Sequence, residues 1–298
     1  MTKTLIVIQG PTAVGKTAVA IALAKALNTE IVSADSRQVF SEMRIGTARP
    51  MEAEWEGIPH HLLGHKSIQE PYNAGVFETE ALEIVQQLFL KHAYVIVAGG
   101  SGLYVQALLE GFDVLPEGNA ALREALQVQW NVDPEVLLNE LEEKDPQFYA
   151  QVDRQNPRRV IRALEVIRQS GQAYSTLRSG ATKPRPWKVL KIGLDRPREE
   201  LYARINNRMD LMLAQGLMEE ALSLWAFREH QALQTVGYRE IFLWKEGLIS
   251  EADMHRLLKQ NSRHYAKRQL TWLHRDAQIK WFTPEAIEDM LLWIQSNA

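Results

Sequence analysis

The segment Gly10-Pro11-Thr12-Ala13-Val14-Gly15-Lys16-Thr17 constrains the chain more than any other. It matches G-x-x-x-x-G-K-[ST], and its flanks agree: Leu5 to Ile8 reads as a short buried strand, and residues 18–27 (AVAIALAKAL) read as a helix. A strand feeding a glycine turn and a helix points backbone N–H groups inward, where the partial positive charge of the helix N-terminus favours an anion. Lys16 adds a full charge, and Thr17 adds a hydroxyl suited to Mg²⁺. Gly10 to Thr17 are therefore expected to cradle phosphate oxygens. The cradle reads oxygens only, so ATP, GTP or an organic diphosphate satisfies it.

The surroundings extend the same pattern. Glu30 to Ala34 (EIVSA) is a second strand candidate ending at Asp35, and Phe77 to Lys91 reads as a helix. Tyr94 to Ala98 (YVIVA) is a third buried strand, entering Gly99-Gly100-Ser101-Gly102. Alternating apolar strands and helices predict an α/β fold, a parallel β-sheet flanked by helices. The character changes after Phe112: Glu117 to Asp145 carry 8 acidic and 2 basic residues with helical spacing, while Arg154 to Lys191 carry 10 basic residues and one acidic. Lys188 to Gly193 (KVLKIG) resembles a sheet strand again, and the longest helix is expected from Ser250 to His274. The organisation expected is a P-loop core, 1–115 and 187–298, helical toward its C-terminus, interrupted by a mostly helical insertion at 116–186.

The third strand ends in Ala98-Gly99-Gly100-Ser101, without the carboxylate that supports Mg²⁺ in nucleoside triphosphatases. The second strand does end in one. Asp35 lies beside the cradle if the strands are neighbours, where it orients Mg²⁺ or serves as a base; spacing leaves both roles open. The net charge of -3 says nothing of nucleic acid, but the basic stretch does. In it Asn156 suits a helix cap and Pro157 the first helical position. Val160, Ala163, Leu164 and Ile167 form an apolar stripe that leaves the arginines outside. Lys259, Arg263 and Lys267 recur every four residues and share a helix face, suited to phosphate contact or simply to solubility.

Other chemistries are excluded or disfavoured. The chain has no cysteine, which removes disulfides, thiolate zinc sites and a catalytic thiol together. His60 and His61 would point to opposite faces of an extended segment, so they are not expected to share an ion, and Mg²⁺ is the only metal expected. Trp272 and Trp281 are expected to pack in a core or interface. No run approaches the roughly 18 apolar residues of a membrane span, so a cytoplasmic protein without a membrane partner is expected.

The motifs together resemble the tRNA dimethylallyltransferase (tRNA isopentenyltransferase) family. The resemblance rests on the cradle, Ala34 to Val39 (ADSRQV), Ile45 to Ala48 (IGTA), Ile58 to Leu62 (IPHHL) and Gly99 to Tyr104 (GGSGLY). It continues through Asn156 to Glu165, Gln234 to Glu240 (QTVGYRE) and Tyr265 to Trp272 (YAKRQLTW), so it spans nearly the whole chain. It implies that the cradle holds dimethylallyl diphosphate, with Lys16 and Thr17 on its oxygens and on Mg²⁺. It implies that Asp35 takes a proton from the N6 amine of adenine 37, beside the anticodon, while Ser101 helps to organise the site and Arg204 or Arg208 adds charge at the leaving diphosphate. Contacts to the tRNA anticodon stem-loop would come from Asp35, Ser36, Arg37, Gln38, Arg123, Arg158, Arg159, Val160, Ile161, Arg162, Gln234, Gly237, Tyr238 and Arg239. A monomer is expected. Two other readings stand beside it: a P-loop small-molecule kinase, which leaves the basic insertion unexplained, and a nucleotide-gated RNA-binding protein, which leaves Asp35 idle.

Overall fold

A computed structural model describes residues 3–113, 115–178 and 180–298. Its centre is a six-stranded, all-parallel sheet in the order β3-β2-β4-β1-β5-β6. The strands are β1 Thr4–Gln9, β2 Ile31–Ser33, β3 His60–His61, β4 Tyr94–Gly99, β5 Lys188–Leu194 and β6 Lys280–Phe282. Every residue of β1 is buried, which is why its sequence is a continuous apolar run rather than an alternation. The four expected strands are present. The short edge strands β3 and β6 have two and three residues, too few to write a periodic pattern.

Asp35 reaches the site differently from the simplest expectation. β4 lies between β1 and β2, so the strand carrying Asp35 is not a direct neighbour of the strand carrying the cradle. Ile8 of β1 and Ser33 of β2 both pair with Ala98 of β4. Gly10, Asp35 and Gly100 therefore each stand two residues beyond one level of the sheet, at its carboxyl edge, where open α/β sheets bind ligands.

The chain divides into two compact units, Met1–Leu109 with Pro184–Ala298, and Glu110–Lys183. In the first, α1 (Lys16–Leu27) follows the cradle, α2 (Ala74–Lys91) packs on β2 and β4, and α3 (Gly102–Glu110) follows β4. α2 begins before Phe77 because the Asn73 side chain accepts from the N–H groups of Gly75 and Val76 and caps it there.

The second unit holds α4 (Ala120–Val132), α5 (Pro134–Lys144), α6 (Pro146–Tyr149), α7 (Pro157–Ser170) and α8 (Tyr174–Leu177). α4, α5, α6 and α7 are capped in turn by Asn119, Asp133, Asp145 and Asn156. Leu126, Leu137, Leu141, Val160, Ala163 and Leu164 have no exposed surface and form its core, so the stripe expected on α7 is the buried one.

The first unit resumes with α9 (Arg198–Ala214), α10 (Leu217–Ser223), α11 (Arg239–Lys245), α12 (Glu251–Leu273) and α13 (Ile287–Asn297). A core layer of this unit joins Val19, Leu23, Ile96, Ile205, Ala266 and Ile294, drawn from β4, α1, α9, α12 and α13. No helix among the described residues is long and apolar enough to cross a membrane.

Candidate functional site

The first unit encloses a chamber of about 600 Å³ at the carboxyl edge of the sheet. The cradle forms one part of its wall. Gly15 has φ +116°, a conformation that L side chains rarely adopt, and it opens the turn into α1. No side chain caps α1, so the N–H groups of its first turn keep their demand for an acceptor. Lys16 Nζ bridges the carbonyls of Gly10 (3.0 Å) and Pro11 (2.8 Å). Burial lowers the Lys16 pKa to about 8, although the Asp35 carboxylate partly offsets this, and Arg208 lowers it further.

Three side chains brace the cradle. Arg204 Nε donates to the Ala13 carbonyl (2.9 Å), and Arg196 Nε donates to the Val14 carbonyl (2.9 Å). Gln269, on α12, accepts from the Thr12 N–H (2.8 Å) and donates to the Gly100 carbonyl (3.0 Å), tying the cradle to the loop after β4. Sequence reading missed Arg196 and the role of Gln269. Arg196 carries no local signal, whereas Gln269 lies inside a recognised motif whose geometry no spacing reveals.

Asp35 lines the same chamber. Its Oδ1 accepts from the N–H groups of Arg37 (2.9 Å) and Gln38 (3.3 Å), a self-closing turn that fixes the carboxylate. The Ser101 hydroxyl accepts from the Ser36 N–H (2.9 Å), so the loop after β4 holds the next residue of that turn. Arg204, Arg208 and Arg37 also reach the chamber. Burial lowers the Arg208 pKa, Asp35 counters this, and Arg204 adds to the lowering. Ile205, Met209, Met212 and Val236 complete the wall, so cations, one carboxylate and an apolar lining share one volume.

Residues expected to touch RNA separate into two groups. Arg158, Arg159, Gln234 and Arg239 are exposed. Val160 and Ile161 are 0% and 3% exposed and belong to the core of the second unit, so their side chains do not face RNA. Gly237 is buried, with its N–H held by Glu240 Oε2 (2.9 Å). Tyr238 is likewise fully buried, because the apolar core around α11 needs its ring. Arg123 and Arg162 both bind the buried Glu165 carboxylate (2.9 and 2.8 Å). Burial alone would raise the Glu165 pKa. The hydrogen bonds from Arg162, the Asn119 N–H and Arg123 outweigh burial and hold it below the ordinary value.

The other basic features settle similarly. Lys259 pairs with Asp210 (2.7 Å), and Arg263 donates to Asn206 (2.6 Å), both on α9. Trp272 departs from the packed position expected of it: it is 42% exposed, with its indole directly against Gly102. It shares a groove along the end of α12 and the turn that follows with His264, Lys267, Arg268, Thr271 and Arg275. His60 Nδ1 meets the Ile58 carbonyl and His61 Nε2 meets Glu30, so the two rings have separate partners.

Comparison with known proteins assigns the chain. The model of the family described as IPP transferase matches residues 38–276, beginning just after Asp35. A tRNA dimethylallyltransferase of Cytophaga hutchinsonii is 52% identical, over 99% of this chain and 97% of the relative. A tRNA dimethylallyltransferase 1 of Bacteroides fragilis is 43% identical, over 99% and 98%. Because these alignments run the full length, they include the cradle that the family match leaves out. The crystal structure of the tRNA isopentenylpyrophosphate transferase of Bacillus halodurans superimposes with a TM-score of 0.74 at 35% identity, covering 99% of this chain and 96% of that one. A eukaryotic dimethylallyltransferase acting on tRNA gives a TM-score of 0.80 at 27% identity, covering 96% and 75%. The small-molecule kinase reading finds no support among these relatives. The chain belongs to the IPP transferase family, the family of the tRNA dimethylallyltransferases.

Proposed function

We propose that the chain transfers a dimethylallyl group from dimethylallyl diphosphate to N6 of adenine 37 in the tRNA anticodon stem-loop. The observation that carries this reading is the chamber, whose wall combines the glycine turn opening α1, the at least partly exposed cations Lys16, Arg37, Arg204 and Arg208, one fixed carboxylate and an apolar lining. The adenine amine attacks the allylic carbon, the carbon–oxygen bond to the diphosphate breaks, and the N6 proton passes to Asp35. Lys16, Arg208 and the N–H groups opening α1 meet the charge that develops on the leaving diphosphate. Holding both substrates in one chamber removes much of the entropic part of the barrier. Adenine must leave the loop stack to enter, at a cost of a few kcal/mol that an unpaired base lowers.

The residues present fit Mg²⁺ in one way. Among the described residues no group of three or more His, Asp or Glu is placed to hold a metal. Thr17 instead offers one hydroxyl oxygen at the cradle, which suits an ion that keeps waters and is held largely by substrate phosphates. When bound, Mg²⁺ would neutralise diphosphate charge.

The test is to mix the purified chain with Mg²⁺, dimethylallyl diphosphate and an unmodified tRNA transcript, then weigh the released nucleosides. Prenylated adenosine is expected, and none should form when ATP is the only phosphate compound. ATP turnover on a small acceptor, with no prenylated product, would return the kinase reading.

Replacing Arg158 and Arg159 together by Ala should weaken tRNA binding and flatten its salt dependence, by roughly 0.7–0.9 in logarithmic slope for each phosphate no longer neutralised. Arg162 is left out because removing it would strip a partner from the buried Glu165. Titrating labelled tRNA at several salt concentrations reads the slope, and an unchanged slope would place these arginines away from the RNA.

A further inference from the structure

Glu220, on α10, stands outside the chamber wall, yet its carboxylate is saturated. Oε1 accepts from the Gly46 N–H (2.9 Å) and the Tyr238 hydroxyl (2.6 Å). Oε2 accepts from the N–H groups of Ile45 (2.7 Å) and Arg44 (3.1 Å). A carboxylate has about four acceptor sites, and all are used, three of them by consecutive backbone groups of one loop. The Tyr238 ring closes the arrangement. A Cβ at Gly46 would lie 2.6 Å from that ring, so only glycine lets the loop approach it.

This loop matters because of what it supports. Gly46, Thr47 and Ala48 line the chamber. The carbonyls of Thr47 and Ala48 accept from Gln38 Nε2 (3.1 and 3.2 Å). Gln38 in turn gives its N–H to Asp35 Oδ1 (3.3 Å). A chain of hydrogen bonds thus runs from Glu220, through the loop and Gln38, to Asp35. The side-chain bonds of Thr47 and Arg49 reach only Met43, Arg44, Phe40 and Ser41, so they stiffen the segment locally. Glu220 ties it to a helix more than 170 residues away.

We propose that Glu220 is a positioning residue for the prenyl transfer proposed above, fixing the Arg44–Ala48 loop and through Gln38 the Asp35 turn. It rests on that reading for its reaction and on the loop geometry for its mechanism. Charge-assisted bonds of this kind are about twice as strong as neutral ones. Glu220→Gln cannot replace them: whichever way the amide turns, its NH₂ group opposes at least one backbone N–H. Glu220→Asp keeps the charge and both acceptors but is one methylene short.

The experiment compares the parent with Glu220→Gln and Glu220→Asp by amide hydrogen exchange and by steady-state kinetics with tRNA and dimethylallyl diphosphate. In Glu220→Gln, exchange at Ile45 and Gly46 should rise at least about tenfold while amides of β1 and α1 keep their protection. Turnover should fall roughly 10–100-fold, as expected for a reacting group displaced by about an ångström, while KM for the diphosphate changes less than about twofold. Glu220→Asp should recover part of that loss. Turnover within threefold of the parent in both variants would overturn the proposal. So would a loss of turnover matched by an equal rise in KM for the diphosphate and by exchange spread over the whole sheet, which would mark a purely structural role. If Glu220→Gln does not fold, Glu220→Asp decides on the same readouts. Failure of the parent to make product would sink the prenyl-transfer reading, whereas unchanged exchange at Ile45 and Gly46 would sink the tether alone.

Discussion

Asp35→Asn is expected to lower turnover at saturating tRNA and dimethylallyl diphosphate about 10²–10⁴-fold, the range for losing a general base. Asparagine is nearly the same shape, and its Oδ1 can still accept from the Arg37 and Gln38 N–H groups. The turn and its tie to Ser101 through Ser36 should therefore survive. What disappears is the acceptor proposed for the N6 proton, and the adenine amine is too weak a nucleophile to attack well while it keeps that proton. Binding should move the other way. The Asp35 charge offsets part of the repulsion among Lys16, Arg208 and Arg204, so its removal leaves a more cationic chamber. Pyrophosphate affinity should stay level or rise. Rapid-quench assays beside pyrophosphate titration separate these effects, and turnover within threefold of the parent would remove Asp35 as the base.

The contrast between what the sequence showed and what it hid follows from range. Gly10 to Thr17 and Asp35 were legible as positions because each is bound to a local event, a strand end or a turn, written in adjacent residues, whereas Ser101 came only with the family resemblance. The apolar stripe of α7 was legible for the same reason, since 3.6-residue periodicity is local. The braces were not. Gln269 meets Thr12 across 257 positions, Arg196 meets Val14 across 182, and Glu220 meets Gly46 across 174. No periodicity encodes such pairs. Tyr238, Val160 and Ile161 show the opposite error. They lie within motifs associated with RNA contact, but a motif recurs for packing as readily as for contact, and burial alone tells the two apart. Arg123 and Arg162 fall between, because Glu165 holds both while leaving each partly exposed.

The pH dependence of diphosphate binding should report Lys16 directly. Its ammonium titrates near 8 in the free chain, because burial lowers its pKa more than Asp35 raises it. A bound diphosphate brings negative charge against that ammonium and raises its pKa, so binding above pH 8 requires uptake of a proton. The sign is then fixed: affinity is complete below the free-chain value and declines as pH rises through it. The dissociation constant should grow toward tenfold per pH unit above 8, roughly 30-fold by pH 9.5 if the complexed lysine stays protonated there. Lys16→Ala should bind weakly at every pH and lose the slope between 8 and 9.5, whereas Lys16→Arg should lose the slope while keeping a positive charge. Arg208 provides the internal control, since a guanidinium stays charged across this range: Arg208→Gln removes one of the charges that lower the Lys16 pKa, so the inflection should persist and move upward even as affinity drops. Isothermal titration with pyrophosphate in two buffers of different ionisation enthalpy measures proton uptake as well as affinity. Uptake approaching one proton near pH 9, absent in Lys16→Ala, is the expected result. Equal uptake in both proteins would assign the titration to another group and place Lys16 away from the diphosphate.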